Sequence, residues 1–253
     1  MVDGVPVFTA ADEPTAIVDR YGEWLAGALR FSWRGSDRTA WVRRGEQVLG
    51  VRLEGSGYNL AGDGTHVDVV LSVEDDRLGR WRLEHPELAS RPDPLLWGSY
   101  LINLVGAGRG SVELFGRLHD SYLSPADLVP VLRDEVLPPL ELLRDPQAAA
   151  DAFPPRWFIE PAYFVEWAVA VGHPAVARLF ASRVLADNPQ LLPSVEAGRA
   201  AVRRGEPADE VHHSGVIFGR ALAALEILGV DEPLVPPEPQ RGWLSKLRRA
   251  GRG

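Results

Sequence analysis

The sequence predicts an α+β fold: a five-stranded, mainly antiparallel sheet with helices packed on one face, followed by an all-helical C-terminal segment. Three observations carry this. An amphipathic helical stripe opens the chain, period-two alternation dominates residues 39–118, and from about residue 154 the apolar spacing is helical throughout.

Residues 14–29 set Ile17, Tyr21, Trp24, Leu25, Ala28 and Leu29 on one helical stripe, with Asp12 and Pro14 as start chemistry. Two strands, Thr39–Arg44 and Gln47–Glu54, flank a hairpin turn at Gly45-Glu46; Leu49, Val51 and Leu53 share a face of the second. Residues 66–74 give the clearest strand. Val67, Val69, Leu71 and Val73 alternate there with His66, Asp68, Val70, Ser72 and Glu74, which predicts one dry face and one largely wet face. Residues 75–96, broken by Pro86, Pro92 and Pro94, read as a loop region with a weak helical signal. Two further strands follow, one through Tyr100, Ile102 and Leu104 and one through Val112, Leu114 and Leu118. Sequential strands usually pair, so a meander is expected.

Ser124-Pro125-Ala-Asp127 has the form of a helix start, and the helix it opens is expected to stop or kink at Pro138-Pro139. Beyond it, Phe164, Trp167, Ala168 and Val171 make one helical stripe. Val176, Leu179, Phe180 and Val184 make the next, after a break at Gly172-His-Pro174. Residues 194–204 and 215–228 complete the helices, with Ser214 as a cap for the last. The expected organisation is an α+β domain over 1–152, a helical segment over 153–232, and a Pro-rich linker with a basic tail over 233–253. No internal repeat is strong enough to assert.

Composition bounds the function. The 253 residues carry a net charge of −8, which argues against a general nucleic-acid binder. The charge is uneven: residues 241–253 hold Arg241, Lys246, Arg248, Arg249 and Arg252 and no acid, so the body of the chain is strongly acidic. Lys246 is the only lysine, a sign of GC-rich coding, so the abundance of arginine is not taken as phosphate recognition. No cysteine, no signal-peptide pattern and no transmembrane run point to a reducing cytoplasm.

The runs Leu29-Arg-Phe-Ser-Trp-Arg-Gly35, Thr39-Ala-Trp-Val-Arg-Arg44, Val48-Leu-Gly-Val-Arg-Leu-Glu54 and Val67-Asp-Val-Val-Leu-Ser-Val73 together resemble a bacterial family catalogued as domain of unknown function 4304. In that family a helix, a Phe-plus-basic segment, a strand with Trp or Tyr and two alternating strands occur in this order. Val136-Leu-Pro-Pro-Leu-Glu-Leu-Leu143 matches its apolar closing segment. The resemblance covers roughly residues 14–150. Arg30 stands where a Gly often precedes the Phe, and Glu54 where a Gln is frequent. The resemblance implies a fold and carries no catalytic signature.

Candidate chemistry is sparse. Gly106-Ala-Gly108-Arg109-Gly110 has the glycines and the arginine of a phosphate-binding loop, but an alternating strand follows it where the dinucleotide fingerprint needs a helix; a hairpin connection is favoured. His66 and Asp68 share a strand face as two metal ligands would, without an obvious third. His119-Asp120 and His212-His213 lack the companions of a metal site. There is no nucleophile elbow, P-loop or zinc-protease motif. Trp33 and Trp41, among Arg34, Arg38, Arg43 and Arg44, mix the residue types of protein interfaces, although half-buried packing under arginine stems is the favoured explanation. The basic tail is a short amphipathic segment suited to weak contact with a membrane surface, or to remaining a solubilising tail.

The reading is a non-catalytic protein-binding or accessory factor, such as an immunity-type protein, with another protein as partner and no cofactor, metal or nucleic acid. Its weak candidate binding residues are Trp33, Trp41, Arg43, Gly106, Gly108, Arg109 and Gly110. The alternative is a small-molecule or nucleotide-processing enzyme with a site near residues 106–110.

Overall fold

The computed structural model describes residues 4–55, 59, 64–106, 109–116, 122–158, 160–206 and 214–228. By contacts the chain divides into two compact units, Met1–Asp75 with Leu95–Ile159, and Asp76–Pro94 with Glu160–Gly253.

The first unit contains the sheet. Helix α1 (Pro14–Leu29) has proline in its first turn and ends at Arg30, whose left-handed φ of 59° lets Arg30 and Phe31 N–H groups return to the carbonyls of Gly27 and Ala26. Strands β1 (Ser32–Arg34), β2 (Thr39–Arg44), β3 (Gln47–Gly55) and β4 (Thr65–Asp75) follow as an antiparallel meander. Gly45 takes a φ of 65° at the first of the two residues between β2 and β3, where type II′ hairpin turns place glycine.

After helix α2 (Asp76–Glu84), which belongs to the other unit, come β5 (Leu95–Tyr100), the short helix α3 (Leu101–Val105) and β6 (Ser111–Phe115). The far edge of β4 is shared. Its residues 70–74 pair with β5 and its residues 65–68 with β6, both antiparallel. The sheet order is β1-β2-β3-β4-β5, with β6 beside β5 on the same edge. An eleven-residue β4 is long enough to carry both partners end to end. Where β3 ends, the Asn59 side chain takes over its role, accepting from the His66 N–H and donating to the His66 carbonyl.

The dry face is the expected one: Val67, Val69, Leu71 and Val73 are buried together with Ala40, Val51 and Leu53. Helix α1 packs against β2, β3 and β4, burying Ile17, Val18, Tyr21 and Leu25. The Tyr21 hydroxyl donates to the Pro125 carbonyl at 2.9 Å. Burial pushes its ionisation far above the ordinary phenol range, so it remains a neutral donor.

Local expectations change in two segments. Tyr100, Ile102 and Leu104 do not share a strand: β5 stops at Tyr100, and α3 buries Leu101 and Leu104 three residues apart while Ile102 faces solvent. Five residues are too few to separate a period of two from one of 3.6. The segment through Pro138-Pro139 stays helical, running through α4 (Leu128–Pro130), a π-helical stretch (Val131–Val136) and α5 (Leu137–Glu141). The wider turn lies just before the two prolines, whose rings would clash with carbonyls four residues back. Ser124 Oγ accepts from the Asp127 N–H and closes a turn over 125–127, and the helix itself begins later than read, at Leu128 with Asp127 at its N-cap. Helix α6 (Pro146–Ala152) is capped by Asp145, which accepts from Ala148 N–H at 2.9 Å. Behind it Trp97 donates to the Trp157 carbonyl at 2.7 Å, with Phe153 edge-on to both rings.

The second unit is helical: α2, α7 (Pro161–Ala170), α8 (Pro174–Asp187), α9 (Leu192–Arg203) and α10 (Ser214–Ile227). Helix α7 packs on α2, α8 and α10, burying Phe164, Val165 and Trp167. At its N-terminus Glu160 accepts from the Ala162 N–H, while burial raises the Glu160 carboxyl above the ordinary glutamate range. Folding therefore holds the protonated form more strongly than the unfolded chain does. Its contribution is complete below the ordinary range and is lost as pH rises through the raised value. Glu160→Gln keeps a cap oxygen without the charge, so urea titrations should show a smaller loss of stability between pH 4 and pH 7 than in wild type.

Candidate functional site: the outer face of the sheet

Register sorts the strand residues by face, because paired residues in an antiparallel ladder point the same way. Trp33 pairs with Ala40, and Ala40 with Val51, so Trp33 belongs to the dry face. A Cβ on Gly22 would lie 2.1 Å from its ring, which places Trp33 directly over α1. Trp41 pairs with Ser32 and Gly50 and lies on the opposite, outer face. The two tryptophans thus do not form one surface. Trp41 and Arg43 do share one, since they are two residues apart on β2.

Three of the rows that cross the outer face surround Trp41. The middle one runs Trp41, Gly50, Ser72, Gly98; the next runs Thr39, Arg52, Val70, Tyr100. On the other side Arg43, Val48 and Glu74 form a row. Gly50, Ser72 and Gly98 make a floor of very small side chains beside the half-buried Trp41 indole. Tyr100, 45% exposed, flanks that floor on the far edge. The Tyr100 hydroxyl donates to Glu54 at 3.0 Å, and this bond together with the Glu54 charge raises the phenol's ionisation. Arg52 pairs with Glu54 on the same strand. Arg43 is on the β1–β2 half together with Arg34, which is bidentate to Asp37 at 2.9 and 2.6 Å, and the acidic Asp68, Glu74 and the buried Glu113 are on the β4–β6 half.

His66 and Asp68 are on this face, as their alternation predicts. Asp68 accepts a hydrogen bond from Ser111 Oγ, and the His66 ring stacks on Tyr122 with centroids 5.5 Å apart. Among the described residues no group of three His, Asp or Glu side chains is placed to hold a metal ion.

In the glycine-rich connection, Gly106 ends α3 with a φ of 93°, and a Cβ on Gly110 would lie 2.1 Å from the Ile102 Cβ. Arg109 is bidentate to Glu135 at 3.0 and 2.5 Å, each side chain holding the other in its charged form. Gly108, His119-Asp120, His212-His213 and the basic tail lie outside the described residues. A separate pocket is lined by Arg44, Gln47, Leu49, Val73, Leu140 and Glu141; Gln47 donates there to Asp75 and to the Leu143 carbonyl.

The small-residue floor went unnoticed in the sequence, although glycine inside a strand marks a place of close approach, and Gly50 sits in the middle of β3. What fold and face define is an α+β protein with a two-sided sheet, helices on one side and a mixed aromatic and charged surface on the other. Comparison with known proteins adds nothing to this: no family model, no curated protein and no solved structure matches the chain. No helix among the described residues is long and apolar enough to cross a membrane.

Proposed function

We propose that this chain is a non-catalytic protein-binding factor of the cytoplasm, an accessory or immunity-type protein, and that it presents the outer sheet face to a protein partner. The observation that carries the reading is Trp41 beside the Gly50–Ser72–Gly98 floor, with Tyr100 exposed at its margin. Aromatic anchors next to arginine, in a surface that still admits a partner's side chains, have the composition of binding hot spots. The alternative small-molecule or nucleotide site has less to build on, since Arg109 is engaged by Glu135 and Gly110 is packed against Ile102.

The resemblance to domain of unknown function 4304 is kept as part of the proposal. One feature supports it: Arg30, where that family often carries Gly, has the left-handed φ of 59° that glycine adopts most easily.

The test is affinity capture from the native host with the full chain as bait. A stoichiometric protein should be retained by wild type and by Glu23→Ala on the exposed side of α1, and lost with Trp41→Ala. The reading fails if no stoichiometric protein, this chain included, is ever retained, or if Trp41→Ala retains it equally. A thermal-midpoint rise with nucleotides or divalent cations, abolished by Arg109→Ala, would support the enzyme instead.

A further inference from the structure

We infer that the outer sheet face binds a second copy of this chain, as an isologous dimer whose two-fold axis runs along β3. The inference rests on the proposed binding face and names its partner. A two-fold axis parallel to the strands lays β2 of one copy over β4 of the other and leaves β3 facing β3. Row by row, this sets the Trp41 indole opposite Ser72, Arg43 opposite Glu74, and Gly50 opposite Gly50. The largest side chain of the face thus meets its shallowest part, and a basic group meets an acidic one, twice by symmetry. Arg34 on the β1–β2 half is already bidentate to Asp37, so Arg43 against Glu74 is the charge contact this arrangement adds.

Of the residues that face their own copies across the axis, only Arg52 and Glu54 are charged. They are already paired with each other, so the meeting is of neutral pairs. Packed sheets cross at about 30°. The contacts invoked lie one strand from the axis, about 5 Å away, where that rotation displaces them least.

Five strands about 4.8 Å apart and about seven residues of about 3.4 Å make a face on the order of 500 Å² per copy. That is near the lower limit for specific association. A concentration-dependent equilibrium between monomer and dimer is therefore expected.

Sedimentation velocity on the full chain tests this, from about 1 to 500 μM, with circular dichroism confirming that each variant is folded. Wild type should move from one chain mass to two. Arg43→Glu and Glu74→Arg should each weaken dimerisation by at least about tenfold, because each sets like charges opposite one another. Mixing the two variants in equal amounts should restore the dimer, since every facing pair in the mixed dimer is again Glu with Arg. A local distortion of either chain would not be rescued by mixing. A monomer at every concentration, a dimer indifferent to both charge reversals, or no recovery on mixing overturns the inference. If the monomer still captures a different protein in a Trp41-dependent way, the inference fails and the proposed function stands.

Discussion

Gly219→Ala is expected to unfold the helical unit at temperatures where the wild type is intact. A Cβ at Gly219 would lie 2.1 Å from the Val195 carbonyl oxygen and 2.9 Å from its Cα. The reciprocal clash, from Gly198 on α9, would be 2.1 Å from the Val216 oxygen. Helices α9 and α10 therefore touch backbone to backbone through glycine. Gly215, one turn before Gly219, continues the seam against Ser194. Overpacking usually costs about 1–3 kcal/mol because neighbouring side chains can give way. Here the obstacle is main chain, and separating the helices would also disturb the buried Arg220, which donates to the carbonyls of Glu206 and Glu87. A loss above about 3 kcal/mol is expected, a fall in the unfolding midpoint of roughly 10 °C or more. Gly27→Ala is the control. It lies on the exposed side of α1 with nothing within 4 Å of a new Cβ, so it should stabilise its helix by about 0.5–1 kcal/mol. Thermal melts followed at 222 nm separate these results, and equal melting of Gly219→Ala and wild type would refute the close contact.

Much of the sheet was legible because its signals are local. Helix α1 and strand β2 have the boundaries that capping and alternation predict, and β4 extends only one residue beyond its predicted stretch at each end. Pairing is not local, and there the reading was coarser. Nothing in the period of β6 reveals that it returns to the free end of β4 instead of lying beyond β5. Helix α2 was nearly invisible because only Leu78 and Trp81 supply apolar anchors in a stretch otherwise rich in charge and polar atoms. For the site, alternation placed His66 and Asp68 on the wet face, whereas the face of Trp41 comes from its pairing with Gly50. Alternation could not place Trp33, whose three-residue strand is too short to show a phase. The small-residue floor is assembled from three strands by register, which no single segment encodes.

The other hidden element is an ion pair, and breaking it should cost nearly as much as the glycine clash. Arg82 on α2 and Glu166 on α7 both have fully buried side chains, with Arg82 Nη2 2.6 Å from Glu166 Oε2. Glu166 also accepts from the Ser90 N–H at 2.6 Å and the Ser90 hydroxyl at 2.8 Å, while Arg82 donates to the Asp93 carbonyl at 2.7 Å and lies over the Tyr163 ring. One carboxylate thus ties α2, α7 and the segment around Ser90 together. Glu166→Gln preserves shape but leaves the buried guanidinium with only the more distant, part-exposed Asp93 carboxylate at 3.7 Å, and about 3 kcal/mol should be lost. Replacing both partners by Arg82→Met with Glu166→Leu removes the stranded charge, so the double variant should be more stable than Glu166→Gln alone. It should still fall short of wild type, since Ser90 N–H and the Asp93 carbonyl lose buried partners. Chemical denaturation of wild type, the single and the double variant gives that ordering directly. A Glu166→Gln protein within about 1 kcal/mol of wild type would mean that water or another group reaches Arg82, and the pair would then not be what holds α2 against α7.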